Sequence, residues 1–362
     1  MIELKNRIQT LIGTNDVIED DYSFLQPGGN DHLVQFLYKN FSDEYWELDD
    51  WNRNSLLVID ISAILGLNFV LDDDAQFASL VVKNTKGHKL VQAILDLRDE
   101  FVVIAYYFGE SKTCLKINRK FVDFPLLCPC FFNSNHLIGI ARDLEIIKQV
   151  EYHFEQPVGV FESPIIMKGT FSGRLVKDIF NEYVDKFRDF FNIVFLAGHL
   201  TDGTQGTISF QSNGTVKVDA CRLTSFLEIV ESLFVVLKEK YRILVSEHII
   251  SWESLSNGFL KKYNGTPIEY ELPYSIDNME ILSRSILKGS KTMELFGIAE
   301  KMSRKQWSVK VTEVKTASQL EIELSNDLIR VILREKNAIP LLEKLESYFR
   351  HNISAQFESV LF

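Results

Sequence analysis

"FLEIVESLF", residues 226–234, and "LLEKLESYF", residues 341–349, agree at five of nine positions. A chain that writes nearly the same helical turns twice invites a search for a repeat. "SNGTVKVDACRL" precedes the first copy and "SNDLIRVILREK" the second. A third copy, "SNHLIGIARD" (134–143) followed by "IIKQVEYHF" (146–154), keeps that order. Ser134-Asn135, Ser212-Asn213 and Ser325-Asn326 each stand between strand-like runs. Asn tolerates positive φ, and Asn213-Gly214 is a hairpin signal. Further upstream, "SLVVKNTKGHKLVQAIL" (79–95) aligns without gaps on "PIIMKGTFSGRLVKDIF" (164–180), and "PIEYELPYSIDNMEILSRSIL" (267–287) follows with a longer loop.

Periodicity assigns the elements. Leu175, Val176, Ile179, Phe180, Val184 and Phe187 recur at helical spacing, as do Phe226, Ile229, Val230, Leu233 and Leu237. "TISFQ" and "TVKVD" alternate as half-buried strands do. The fold class expected is α+β. Three tandem β-α-β-β-β-α modules, at 77–158, 159–245 and 246–362, would have antiparallel sheets covered by helices. Their last three strands fall at 101–108, 113–118 and 136–141, then at 192–199, 206–211 and 215–219, then at 307–314, 319–324 and 328–334.

Residues 1–76 fit no module and read as a separate acidic N-terminal region packed on the first one. In it, "IELKNRIQTLIG" and "HLVQFLYKNF" read as helices. "SLLVIDISAIL" reads as strand or helix, because so short an apolar run carries no decisive period. This region holds 15 Asp and Glu against 4 Lys and Arg, whereas the other residues hold 35 of each. The whole net charge of −11 therefore sits in the first fifth of the chain. Such a lobe repels nucleic acid and attracts basic surfaces.

The helix–three-strand–helix order is similar in topology to double-stranded-RNA-binding domains and to type III secretion chaperones. The first of these needs a Lys-rich start to its second helix. The corresponding starts here read "DLEIIKQ", "LTSFLEI" and "AIPLLEK", so nucleic acid is not expected as a direct ligand. No membrane partner is expected either: the most apolar run, 55–71, carries Asp60 at its middle. Four cysteines and no secretory h-region at the N-terminus read as a cytoplasmic chain. The oligomeric state is left open.

Candidate chemistry is sparse. Glu313 and Lys315, in "WSVKVTEVK", form the E-x-K half of a restriction-type nuclease site, in which carboxylates hold magnesium and the lysine assists water attack. Asp277 or Glu280 is the nearest upstream acid that could complete it. Cys128 and Cys130, with Cys114 and His136, have C-x-C rather than C-x₂-C spacing and read as core, not as a metal site. "GHLTDGTQGTIS" (198–209), with His199 and Asp202, leads into a strand rather than a helix and reads as a hairpin loop, not a phosphate cradle. Lys86, His88, Lys89 and Arg174 stand at the starts of two expected helices and read as surface charge.

Asp43, Glu44, Tyr45, Trp46, Glu47, Asp49, Asp50 and Trp51 mix rings with carboxylates, which suits docking of a basic partner. At least one of Trp46 and Trp51 is expected to close the local core instead. The reading is therefore a non-enzymatic interaction protein or adaptor, without cofactor, whose acidic lobe binds a protein with a basic face. The alternatives are the metal-dependent nuclease, with magnesium, and a DNA-mimic inhibitor.

Overall fold

The computed structural model describes residues 2–12, 30–143, 147–155, 166–173, 192–199, 206–219, 222–254, 261–272, 278–289 and 293–353, with single positions at 176, 178 and 182. Arg174, Asp202, Asp277 and nearly all of the helix expected over 175–187 lie outside the described residues. Helix and antiparallel sheet are mixed, as an α+β chain requires.

The fold grows from "NDHLVQFLYK", which is not a helix. It forms strand β1 (Asn30–Lys39). Its apolar residues satisfy a helical period, but all eight positions from His32 to Lys39 are buried. That continuous burial is the mark of a central strand covered on both faces. One side of β1 pairs with β5 (Val102–Glu110) from Asn30 to Tyr38. The other is shared end to end by β11 (Thr215–Asp219), opposite His32–Gln35, and β6 (Leu127–Pro129), opposite Leu37–Lys39.

The sheet runs on from β5 through β4 (Lys89–Asp96), β3 (Phe77–Lys83) and β2 (Val70–Leu71). Beyond β11 it runs through β10 (Thr207–Gln211), β9 (Asn192–His199), β7 (Ile147–Glu155) and β8 (Ile166–Ser172). A single sheet thus takes strands from three of the segments distinguished in the sequence, 1–76, 77–158 and 159–245. The acidic N-terminal segment supplies the centre of that sheet.

Segment 77–158 departs most from the expected order. Lys89–Asp96 is a strand, because Asn84 and Gly87 close a hairpin: the Asn84 side chain accepts from the Lys86 and His88 amides at 2.9 and 3.0 Å. Residues 113–118 lie in a helix, α4 (Ser111–Val122), whose buried Cys114, Ile117, Asn118 and Phe121 keep helical spacing. Residues 136–141 lie in α5 (Ser134–Asp143). There Asn133 accepts the His136 amide at 2.9 Å while its own amide donates to His136 Nδ1 at 3.3 Å, a reciprocal cap. Ser212-Asn213-Gly214 and Ser325-Asn326 do stand between paired strands. Gly214 takes φ 76°, and a Cβ there would meet Cys130 O at 2.4 Å.

Two helices from the first seventy residues cover the sheet. They are α1 (Ile2–Ile12) on one face and α3 (Asp50–Leu65) on the other, with the single turn α2 (Asp43–Trp46) before α3. Leu57, Val58 and Ile61 of α3 join Cys114, Ile117 and Phe121 of α4 against the odd-numbered side chains of β1 and β5. The even-numbered Val34, Phe36, Tyr38, Ile104 and Tyr106 face the opposite core, with α6 (Leu223–Ile243).

That opposite core continues into a second sheet of order β14-β18-β17-β16-β15. Its strands are β14 (Ile268–Glu271), β15 (Leu295–Lys301), β16 (Gln306–Glu313), β17 (Gln319–Ser325) and β18 (Leu328–Ile332). Helices α7 (Met279–Lys288) and α8 (Ile339–Asn352) pack on its inner face, and α8 also touches β7 of the large sheet. Segment 246–362 therefore keeps the expected β-α-β-β-β-α order with one added strand, β15, and a short pair β12 (Ser251–Ser254) and β13 (Lys261–Asn264) before it.

Candidate functional site

The acidic run 43–51 divides into residues that build the fold and residues that face water. Asp49 caps α3: its carboxylate accepts the Asn52 amide at 2.9 Å and the Asn52 side chain at 2.7 Å, and these bonds lower its pKa. Tyr45 stacks on Phe41 at 4.9 Å, and its hydroxyl donates to Asp60. Trp46 lies against Phe41 and Phe101, at 5.3 and 5.9 Å between centroids. The Lys336 ammonium sits 4.6 Å from its ring and the Arg53 guanidinium 5.1 Å. Lys336 comes from the turn before α8, so Trp46 ties the N-terminal segment to the C-terminal one. These three residues are structural.

Asp43, Glu44, Glu47, Asp50 and Trp51 are exposed. Trp51 leans on the next loop, donating from Nε1 to Asp73 O at 3.2 Å, with Asp73 and Asp74 beside it. The solvent side of α3 extends this face. Its buried residues Arg53, Asn54, Leu57, Val58 and Ile61 fix which side looks in. Leu56, Ile59 and Ala63, one helical column, look out, and Ile59 is 59% exposed. Gly66, at φ 64°, ends the helix in a left-handed cap. The helix thus turns an apolar column outward, and sequence reasoning missed the column. Its signal was present: "LLVI" at 56–59 is apolar on every side of a helical turn, more than one core face can bury.

The two residues of the E-x-K pair turn to different partners. Glu313 is buried, with its carboxylate held by Lys344 of α8 and by Thr316 Oγ1 at 2.7 Å. Lys315 points away, donating to Val122 O at 2.9 Å at the end of α4. Leu295 is paired opposite Glu313 where a second carboxylate would be needed. Glu280 is occupied on its own helix with Arg284 at 2.6 Å. Among the described residues no group of three or more His, Cys, Asp or Glu side chains could hold a metal ion. Cys114, Cys128 and Cys130 are buried, and burial pushes the Cys128 thiol up to about 12.

The strongest polar cluster was not visible in the sequence. Lys240 of α6 and Glu343 of α8 pair out of reach of solvent, and Tyr241 donates to the same carboxylate oxygen at 2.9 Å. Lys240 and Glu343 line a narrow cleft of about 40 Å³ with Ser134, Ser212, Glu346 and Arg350. Burial raises the Glu343 pKa against the pull of Lys240. Burial lowers that of Lys240, but Glu343 and Glu346 outweigh it and the net shift is upward. This cluster joins the two similar helices of the opening quotation, which are packing partners across a seam.

Residues 208–353 match the family described as MJECL33-like protein, a span from β10 to the end of α8 that covers less than half of the chain. It takes in the small sheet and both members of the buried ion pair, and it leaves out the acidic face on α2 and α3. No curated protein matches the chain.

Proposed function

We propose that the protein is a non-enzymatic interaction protein that docks a partner with a basic, partly apolar surface on α2 and the outer side of α3. The observations that carry this reading are the exposed apolar column Leu56, Ile59 and Ala63 on α3 and the exposed Trp51 and carboxylates of Asp43, Glu44, Glu47 and Asp50 on α2 and the first turn of α3. Rings and aliphatic groups supply area that water does not favour, and the acids steer a basic partner and set its orientation.

Capture from a native lysate at low salt, compared between the wild type and two surface variants, tests the reading. A basic protein retained by the wild type, released by salt, and lost with both Ile59→Lys and Glu44→Lys/Glu47→Lys supports it. Equal retention by all three proteins removes this face from the function. A captured nucleic-acid-binding protein that gives up its nucleic acid would favour the DNA-mimic form of the same reading. Deleting residues 1–76 is not a usable test, because the deletion takes away the central strand of the large sheet.

A further inference from the structure

Strand β15 ends the small sheet, and its outer edge is uncovered among the described residues. Val314 N donates to Glu294 O at 3.0 Å. This fixes the parity of the ladder: the backbone groups of Phe296, Ile298 and Glu300 turn to β16, and those of Gly297, Ala299 and Lys301 turn outward. The same strand exposes Phe296 at 75% and Ile298 at 53%, and Met302 just beyond it at 66%. Native sheets usually blunt such an edge with a bulge, a proline or an inward charge. β15 has neither bulge nor proline: it pairs residue for residue with β16 from Leu295 to Lys301, and its charges, Glu300 and Lys301, stand at its last two positions.

The charges along this edge differ from those on the rest of the sheet. Deeper in the sheet they are satisfied within the chain: Arg330 meets Glu269 at 2.6 Å and Glu323 at 3.0 Å, and Arg334 meets Glu321 at 3.0 Å. Glu294, at the start of β15, and Lys301, Arg304 and Lys305, at its end, are exposed and make no ion pair among the described residues. Glu294 stands alone at one end, whereas Lys301, Arg304 and Lys305 outnumber the exposed Glu300 at the other. An antiparallel copy of itself is the partner that matches both ends at once.

We propose that β15 pairs antiparallel with β15 of a second copy about a two-fold axis at Ala299, joining two five-stranded sheets into one of ten. In that register the outward backbone groups of Gly297, Ala299 and Lys301 complete one another. Phe296 of one copy lies across from Met302 of the other, and the Glu294 end of each strand meets the other's basic turn, which carries Arg304 and Lys305. The net charge of −11 does not oppose this approach, because residues 293–353 hold 9 acids and 10 bases. The acidic face on α2 and α3 lies on other elements, so the two proposals stand or fall separately.

Sedimentation equilibrium over a concentration series tests the pairing on the full chain. The wild type is expected at twice the chain mass, dissociating on dilution. Ala299→Pro removes an outward amide that the sheet does not use, and should weaken assembly about tenfold or more. Phe296→Lys, at a solvent-facing position, should do the same with unchanged circular dichroism and thermal midpoint, and it decides the matter if the proline variant fails to fold. Glu294→Arg should weaken assembly and Glu294→Arg/Arg304→Glu should restore it. A wild type that stays at the single-chain mass at every concentration overturns the proposal. So does assembly that is as tight in Phe296→Lys as in the wild type.

Discussion

Lys240 of α6 and Glu343 of α8 form an ion pair whose side chains are 5% and 0% exposed, at the seam where the two sheets share one core. Glu343 matches Glu228 when the two helices are aligned, yet Glu228 is exposed on α6. Similar sequences have therefore met different surroundings. Removing one member should leave a buried charge alone, at a cost of about 3–5 kcal/mol, while replacing both with apolar groups should be near neutral. Urea unfolding of Glu343→Leu, Lys240→Met and the double variant gives the coupling directly. A double variant as unstable as the sum of the two singles would refute this account.

Lys39, at the end of β1, directs its ammonium to three acceptors: Asn54 Oδ1 at 3.1 Å, Leu97 O at 3.1 Å and Asp99 O at 2.6 Å. Burial lowers its pKa to about 8 even so, with Asp99 opposing the shift. Between pH 8 and the ordinary lysine value the unfolded chain binds more protons, so stability rises with pH in that window, by up to about 3 kcal/mol. The buried Cys128 and Cys130 thiols act in the opposite direction from about pH 9, and the buried tyrosines from about pH 10, since burial raises the pKa of each. Urea midpoints from about pH 7 to about pH 9 should climb in the wild type and climb less in Lys39→Met. Parallel profiles would show that Lys39 titrates normally.

His136 presents the same case at acid pH. Burial, with Lys240 and Arg350 adding to it, lowers its pKa to about 3. The unfolded histidine takes up its proton near pH 6.5, so the contribution is fully present above that pH. It is lost as pH falls towards 3, over a range of about 4–5 kcal/mol. His136→Gln should start less stable at pH 7, through loss of the cap on α5, and should decline less steeply with acid. Equal slopes for the two proteins between pH 6.5 and pH 4 would remove His136 from the acid response.

Gln35 joins three elements at the middle of the large sheet. Its amide donates to Phe36 O at 3.1 Å and Asn213 O at 2.8 Å, and its carbonyl accepts from Thr215 at 2.6 Å and Asn118 at 3.1 Å. Gln35→Leu leaves several buried partners unsatisfied and should cost about 2–4 kcal/mol. The same geometry implies that a chain starting at residue 77 loses cooperative unfolding. A sharp thermal transition in that truncation would show that the strands on either side of β1 can close without it.

The two sheet halves were unequally legible. In the C-terminal segment the strands largely alternate, as in Val309, Val311 and Glu313 or Leu320, Ile322 and Leu324, because one face is packed and the other is wet; β16 and β18 break the pattern at Ser308 and Ile332. Periodicity there located β16, β17, β18 and α8. In the large sheet, β1, β4 and β5 are buried on both faces, so alternation disappears and an apolar run fits a helix as well as a strand. The turn at Asn84–Gly87 and the cap at Asn133–His136 could have corrected two of those assignments from local chemistry alone.

The sequence by itself determined the α+β character, the hairpins at Asn213 and Asn326, the helices over 226–237 and 341–349, and the concentration of negative charge in the first 76 residues. Each of these rests on interactions between neighbours in the chain or on simple counting. Only the tertiary structure decided that residues 30–39 run through the middle of one large sheet, that Tyr45, Trp46 and Asp49 serve the fold while Asp43, Glu44, Glu47, Asp50 and Trp51 face water, and that Lys240 finds Glu343. Those outcomes depend on which distant surfaces meet: a strand's two faces, a helix's outer column and an ion pair 103 residues apart are set by packing, to which local periodicity is blind.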